Sequence, residues 1–383
     1  MAACLGIILE MLSELDSESE EEELILVNYL TQYKKIALEY RPNIFKEHFR
    51  VSRLTFENLL KDLVPILLQS KEIVIGKGRN ALSVDQQLLM SLWLLANQES
   101  FRGVGDRFGV CRRTAWRCLM RIVRAINVLN TQSHIINWPS AQKARKTAQT
   151  FAMKYGITGV IGCLDGKHIA IKAPLEEPQA YINRKGFHSL VLQGVCDEKM
   201  CFIDCYIGEV GSVHDCTIFK RSEVYHRVCS GDGFPHADFH IIGDGAYQLS
   251  KHLIVPYRDN GFLSSSKIMF NNKFSSCRQT IERAFAHLVG RFRRLKFLDM
   301  SRMDLMVELI AACCTLHNIC VLQNDESVWS NDEERVENGV QITEVEENVA
   351  EEITYEQDRE MGYLKREQIM LEIMSQANRY RIN

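Results

Sequence analysis

Three acids have the residue type and setting to bind hard divalent cations. Asp165 lies in Gly162-Cys163-Leu164-Asp165-Gly166-Lys167-His168, just past an apolar run. Asp244 lies in Ile242-Gly243-Asp244-Gly245-Ala246-Tyr247, just past another. Carboxylates at strand ends beside glycine face a cleft while the apolar residues behind them fill a core. Mg²⁺ or Mn²⁺ takes oxygen ligands of this kind, and two ions about 3.5–4 Å apart activate a water and stabilise a leaving phosphate oxygen. The competing reading of each Asp-Gly is a tight turn. Glu282 borders the apolar helix face of Ile281, Phe285, Leu288, Phe292 and Leu295. Between Arg278 and Lys296 it is the one acid among six bases, Arg278, Arg283, Arg291, Arg293, Arg294 and Lys296. It is either a third ligand on a helix whose arginines hold DNA phosphates, or a salt-bridge partner.

The elements that must carry these residues follow from hydrophobic period. From Leu24 to about Lys154 the pattern is helical: Leu88, Leu89, Leu92, Trp93, Leu95 and Ala96 recur at helix spacing behind Ser83, a plausible N-cap. A short helix over Phe101–Phe108, a turn at Gly109 and a helix from Arg112 to about Asn127 complete a helix-turn-helix pattern at about 84–127. Near Gly159 the texture changes. Val160–Leu164 and Ile169–Ile171 read as a strand pair, and His188–Cys196 and Met200–Val210 as two more around Asp197-Glu198-Lys199. Thr217–Val228 reads as a helix, His240–Ile242 as a strand, and the chain from about Ser250 as helical. Ser276–Lys296 and Leu305–Leu322 read as long helices. The class is α/β, a mixed-sheet domain preceded by a helical one. The expected divisions are an acidic terminus at 1–24, a helical domain at 25–154, the α/β domain at 155–323 and an acidic tail at 324–383 with a terminal helix at Tyr363–Gln376.

The strings CLDGKHIAI, GSVHDCTIF, IIGDGAYQL and TIERAFAHLVGRFRRL occur in this order. Together they resemble the four catalytic blocks of the PIF/Harbinger-type DDE transposases and the nucleases derived from them. The resemblance runs from about Gly159 to Val321 and, more loosely, back through the helix-turn-helix region. It implies an RNase H-like fold, divalent-metal nuclease activity on DNA, and Asp165, Asp244 and Glu282 as the metal-binding triad. The family's Ser-x-His-Asp block matches Ser212, His214 and Asp215. Asp215 is then an accessory acid, or the N-cap of the helix from Thr217. His168 is a substrate contact or a satisfied polar residue. The resemblance further implies a Myb/SANT-like DNA-binding partner, which would supply import into the nucleus. The acidic ends are not part of it.

Charge is segregated. Met1–Leu24 carries −8, Asn324–Glu360 carries −12 and Met361–Asn383 carries +2, so Ile25–Gln323 carries +15 within a total of −3. A basic body with acidic ends suits a polyanion ligand, or the ends are solvated tails. Within the helix-turn-helix, Arg102, Arg107, Arg112, Arg113, Arg117, Arg121 and Arg124 oppose Asp106 alone. A recognition helix from Arg112 presents arginines to phosphates or guanine edges, whereas Trp116 reads as core. Cys314, His317 and Cys320 lack a second pair at zinc-finger spacing and read as buried helix residues. Cys196, Cys201 and Cys205 read as strand core, and the odd total of 13 cysteines argues against a disulfide framework. No apolar run reaches the roughly 18–20 residues of a membrane span, and Met1–Leu12 is a poor signal peptide. Three functions meet these constraints: a metal-dependent DNA endonuclease, a DNA-binding scaffold that does not cleave, and an exonuclease or RNase of the same fold.

Overall fold

The computed structural model describes residues 33–70, 82–325 and 352–382. The acidic run at 17–23 and most of the acidic stretch after Asn324 lie outside them. Two compact units meet at Ile122 and Val123.

The first unit is helical: α1 (Pro42–Phe49), α2 (Arg53–Gln69), α3 (Val84–Ala96), α4 (Phe101–Phe108) and the first half of α5 (Arg112–Ser133). Local chemistry sets the boundaries. Ser52 and Ser100 cap α2 and α4 by accepting the backbone N–H of Thr55 and Gly103. Ser83 stands at the N-cap position of α3, but its hydroxyl takes a hydrogen bond from Lys34 instead. Gly109 ends α4 in the left-handed conformation, φ 68°. A side chain at Gly105 would put Cβ 2.6 Å from the Val110 carbonyl, so only glycine lets the turn between α4 and α5 close this tightly.

The second unit begins within α5 and takes in α6 (Ala141–Tyr155), which packs on β1. The division therefore falls well before the expected 154/155. Five strands follow: β1 (Val160–Ala170), β2 (Ser189–Cys196), β3 (Phe202–Val210), β4 (His240–Ile242) and β5 (Leu253–Ile254). They form one mixed sheet in the order β3-β2-β1-β4-β5. The first three strands are antiparallel neighbours, and β4 and β5 run parallel to β1. Two short helices, α7 (Asp215–Lys220) and α8 (Glu223–Ser230), link β3 to β4 in place of a single helix. Two long ones, α9 (Ser265–Arg291) and α10 (Met303–Leu322), pack on the sheet and on each other.

Several expectations are corrected. Val160–Leu164 and Ile169–Ile171 are not a pair around a turn. β1 runs straight through Asp165-Gly166, held by pairing with Gly194 and Gln193 of β2. The chain after Ser250 is strand β5, and helix resumes only at Ser265, where Ser264 caps it by accepting the Lys267 N–H. α10 is long and apolar enough to cross a membrane, which no segment was expected to be. Its apolar residues instead build the core beneath β3. There the Asn318 side chain accepts from Phe202 N (2.8 Å) and donates to Phe202 O (2.7 Å). Cys314, His317 and Cys320 are buried as expected, and His317 Nε2 bonds the Met200 carbonyl at 2.8 Å.

The end of the chain holds a helix, α11 (Glu352–Ile382), longer than the expected Tyr363–Gln376. It docks on the second unit. Ile369, Met370 and Ile373 are buried. The Lys365 ammonium donates to the carbonyls of Ala237 (2.9 Å), Phe239 (3.1 Å) and Lys251 (3.0 Å). Thr158 donates to Glu372 (2.7 Å), and Tyr257 to Glu367 (3.0 Å).

Candidate active site

Strand register brings the first two acids together. β1 and β4 are parallel neighbours with Cys163 opposite Ile242. Each chain runs two residues further, to Asp165 and Asp244. Behind them Val160, Ile161, Leu164, Ile241 and Ile242 are buried, so the apolar halves of both strands fix the acids from below. The Asp244 carboxylate accepts the Ala246 N–H (2.9 Å), which holds the turn after β4. Asp165 takes the Gly166 N–H (2.8 Å) and keeps 19% of its side-chain surface exposed, enough to meet a ligand.

Asp215 is a third member of this group. α7 begins at Asp215 and not at Thr217, so the N-cap position belongs to His214, and the capping reading of Asp215 fails. Its carboxylate lies against Gly166: a Cβ there would approach Asp215 Oδ1 to 2.8 Å. A side chain at 166 would therefore displace the Asp215 carboxylate from its place against β1. Glu282 joins through Arg278, one turn earlier on α9. The Arg278 guanidinium donates to Asp165 Oδ2 (3.0 Å) and also pairs with Glu282.

Burial raises the Asp165 carboxyl to about 7; Arg278 opposes this, while Asp244 and Asp215 add to it. Asp215 is raised to about 6, first by burial and then by Asp244, against the pull of Arg184 and His214. The buried Tyr247 phenol is pushed up by burial and by the same three aspartates. Its hydroxyl has no hydrogen-bond partner among the described residues. Mutually repelling acids beside an orphaned hydroxyl are a donor set that fits a hard cation. As the side chains stand, no three His, Cys, Asp or Glu groups of the described residues gather tightly enough to hold one. Arg278 contributes the positive charge there.

Each of the two accessory histidines has a partner at Nδ1. The Ser189 hydroxyl accepts from Asn183 (3.1 Å) and is hydrogen-bonded to His168 Nδ1 (2.9 Å). Burial, helped by Lys185, Lys167 and Arg184, lowers the His168 pKa. His214 is bonded through Nδ1 to Arg184.

The expected phosphate-binding arginines separate into groups. Arg112, Arg113 and Arg117 are exposed on α5, and Arg293 is exposed after α9. Arg291 and Arg294 are 3% and 7% exposed and unavailable to DNA; Arg291 reaches Asp325. Arg283 donates to Tyr155 (2.7 Å), and Arg278 serves the acids. In the helix-turn-helix region, Arg107 pairs with Glu99, Arg121 with Gln87 and Arg124 with Glu308. Sequence reading overlooked Tyr247 and Arg184. Arg184 lies in Asn183-Arg184-Lys185-Gly186, whose paired bases before a glycine turn were the available signal.

The description "DDE superfamily endonuclease" matches residues 164–318, from Leu164 of β1 to Asn318 of α10, and so spans every acid of the site. HARBI1 of Bos taurus, named as a candidate nuclease, is 30% identical over 258 residues, which cover 66% of this chain and 71% of that protein. The chain belongs to the Harbinger-derived DDE family. HARBI1 of Homo sapiens has the same identity and coverage. Antagonist of like heterochromatin protein 1 of Arabidopsis thaliana is 28% identical over 293 residues, 72% of each chain. No solved structure matches the chain. Membership of the Harbinger-derived family implies an RNase H-like fold for the five-stranded sheet, and it makes Asp165 within β1 and Asp244 just past β4 the place to seek chemistry.

Proposed function

We propose that the chain is a divalent-metal-dependent DNA endonuclease acting in the nucleus, with Asp165, Asp244 and Glu282 as metal-binding acids and Asp215 as an accessory acid. The observation that carries this reading is the meeting of Asp165, Asp244 and Asp215 where β1, β4 and α7 converge, inside the stretch that matches the DDE endonucleases. Bound Mg²⁺ or Mn²⁺ would supply the activated water and the stabilised leaving oxygen of phosphodiester hydrolysis.

The chain's own residues do the positioning. Parallel pairing of β1 and β4 sets the spacing of Asp165 and Asp244. Arg278 shares its guanidinium between Asp165 and Glu282, so it must release at least one before both bind a common cation. Tyr247 offers a buried hydroxyl donor beside the aspartates. Exposed Arg112, Arg113, Arg117 and Arg293 are the remaining candidates for phosphate contact. A Myb/SANT-like partner would add sequence recognition.

The test is nicking of supercoiled plasmid with Mg²⁺ or Mn²⁺, beside Asp244→Ala. A plasmid has no ends, so nicking lost in the variant supports an endonuclease and excludes an exonuclease. A second reading, a DNA-binding scaffold without cleavage, draws support from Arg278 holding two of the acids and from a relative named for antagonism of a heterochromatin-like protein. It predicts tight DNA binding with no nicking, even with the partner present.

A further inference from the structure

The segment that joins a short 3₁₀ turn (Pro178–Tyr181) to β2 is built to hold its tip rigid. Asn183 is buried, and its Oδ1 accepts the N–H groups of Lys185 (2.9 Å) and Phe187 (3.4 Å). Gly186, at φ 81°, returns the chain by donating to Asn183 O (2.9 Å), and a bridge between Ile182 and His188 closes the base. The side chains turned outward are Arg184, Lys185 and Phe187, the last 37% exposed. Phe187 thus presents part of an aromatic ring beside two basic side chains on the same braced turn.

Two tethers tie this turn to the acids. Asn183 Nδ2 bonds Ser189 Oγ, which bonds His168, three residues along β1 from Asp165. Arg184 bonds His214, the residue before Asp215. The positive field of Arg184 reaches the Asp215 carboxylate, and those of Arg184 and Lys185 reach His168. A carboxylate cluster repels a phosphate backbone, so a strand brought to it needs basic residues on rigid backbone close by.

We propose that turn 183–187 is a DNA-strand clamp, in which Arg184 and Lys185 hold phosphates flanking the one at the acids and Phe187 stacks on a base of that strand. Arg184 has five N–H donors, enough to serve His214 and a phosphate together. Stacking on Phe187 needs a base that is not enclosed in a duplex, so the preferred substrate has unpaired or splayed bases at the cleavage point. The inference rests on the nuclease reading.

The test measures binding without divalent metal, so that nothing is cut. The probes are a DNA duplex and the same duplex with a short unpaired tract, titrated over a range of salt. Arg184→Gln with Lys185→Gln should flatten the slope of log affinity against log salt by roughly 1.4–1.8, the loss of two phosphate contacts. Phe187→Ala should keep the slope and lose roughly tenfold or more of the preference for the unpaired tract. Lys185→Gln alone should flatten the slope by about half as much, and it removes no bond of the turn. Wild-type slope and preference in all variants overturn the clamp and leave the nuclease reading standing. Failure of the wild-type chain to bind either DNA at low salt overturns both.

Discussion

At the scale of single residues, Asp165 carries the sharpest consequence of burial. Its carboxyl titrates near 7 in the folded chain, against 3.8 in the open. The folded state therefore keeps a proton that the unfolded state has lost, and stability falls as pH rises from about 4 to about 7. Asp215, raised to about 6, acts in the same direction. In EDTA the melting temperature of the wild type should drop more between pH 5 and pH 8 than that of Asp165→Asn. Equal drops would refute the assignment. Arg278 permits a second forecast. Arg278→Gln removes a competing positive charge, so Mn²⁺ should bind about tenfold or more tightly in a calorimetric titration. Unchanged or weaker binding would show that Arg278 does not stand in for a cation. Asp165 and Asp244 were legible in the sequence because each follows an apolar run and sits beside glycine. The involvement of Arg278 was not, since an arginine four residues before a glutamate looks like any helical ion pair. Nor was the burial of Arg291 and Arg294, because arginine is rarely enclosed.

At the scale of elements, the sequence was clearest where hydrophobic period and caps agreed. Phe101–Phe108 and His240–Ile242 lie at the bounds read from the chain. β1 was misread because Asp165-Gly166 is also a turn signal. What carries the strand through is pairing to β2, a long-range interaction invisible to a local pattern. β5 was missed, and its surroundings were read as helix, because two residues show no period of their own. α11 offers the test at this scale. Ile373 is buried against the second unit, and Ile373→Ala should destabilise the chain by about 2–5 kcal/mol in urea unfolding. Lys365→Met should also destabilise it, by orphaning three carbonyls. A negligible effect of both would mean that α11 is not part of the folded unit in solution.

At the scale of the whole molecule, charge is segregated along the chain. Ile25–Gln323 carries +15, and the acidic stretches stand at the two ends. If the N-terminal stretch competes with DNA for the basic body, deleting Met1–Glu23 should raise DNA affinity at low salt, and the gain should fade at high salt. Unchanged affinity at low salt would remove that role. This segregation was fully legible in composition. The partition of the basic charge was not, because folding turns some arginines inward and leaves others on the surface.

The docking of α11 bears on how the protein is made. All the acids of the site precede Asn324, yet the helix that packs beside β5 begins at Glu352. A ribosome must therefore release the complete five-stranded sheet before the segment that packs on its β5 flank has been synthesised. During that interval Leu253 and Ile254 form a strand edge without its cover, the kind of surface on which nascent chains associate wrongly. A message broken between those points would yield a chain with every acid of the site and an open flank. Its fate would be decided by chaperones and proteases before its chemistry mattered.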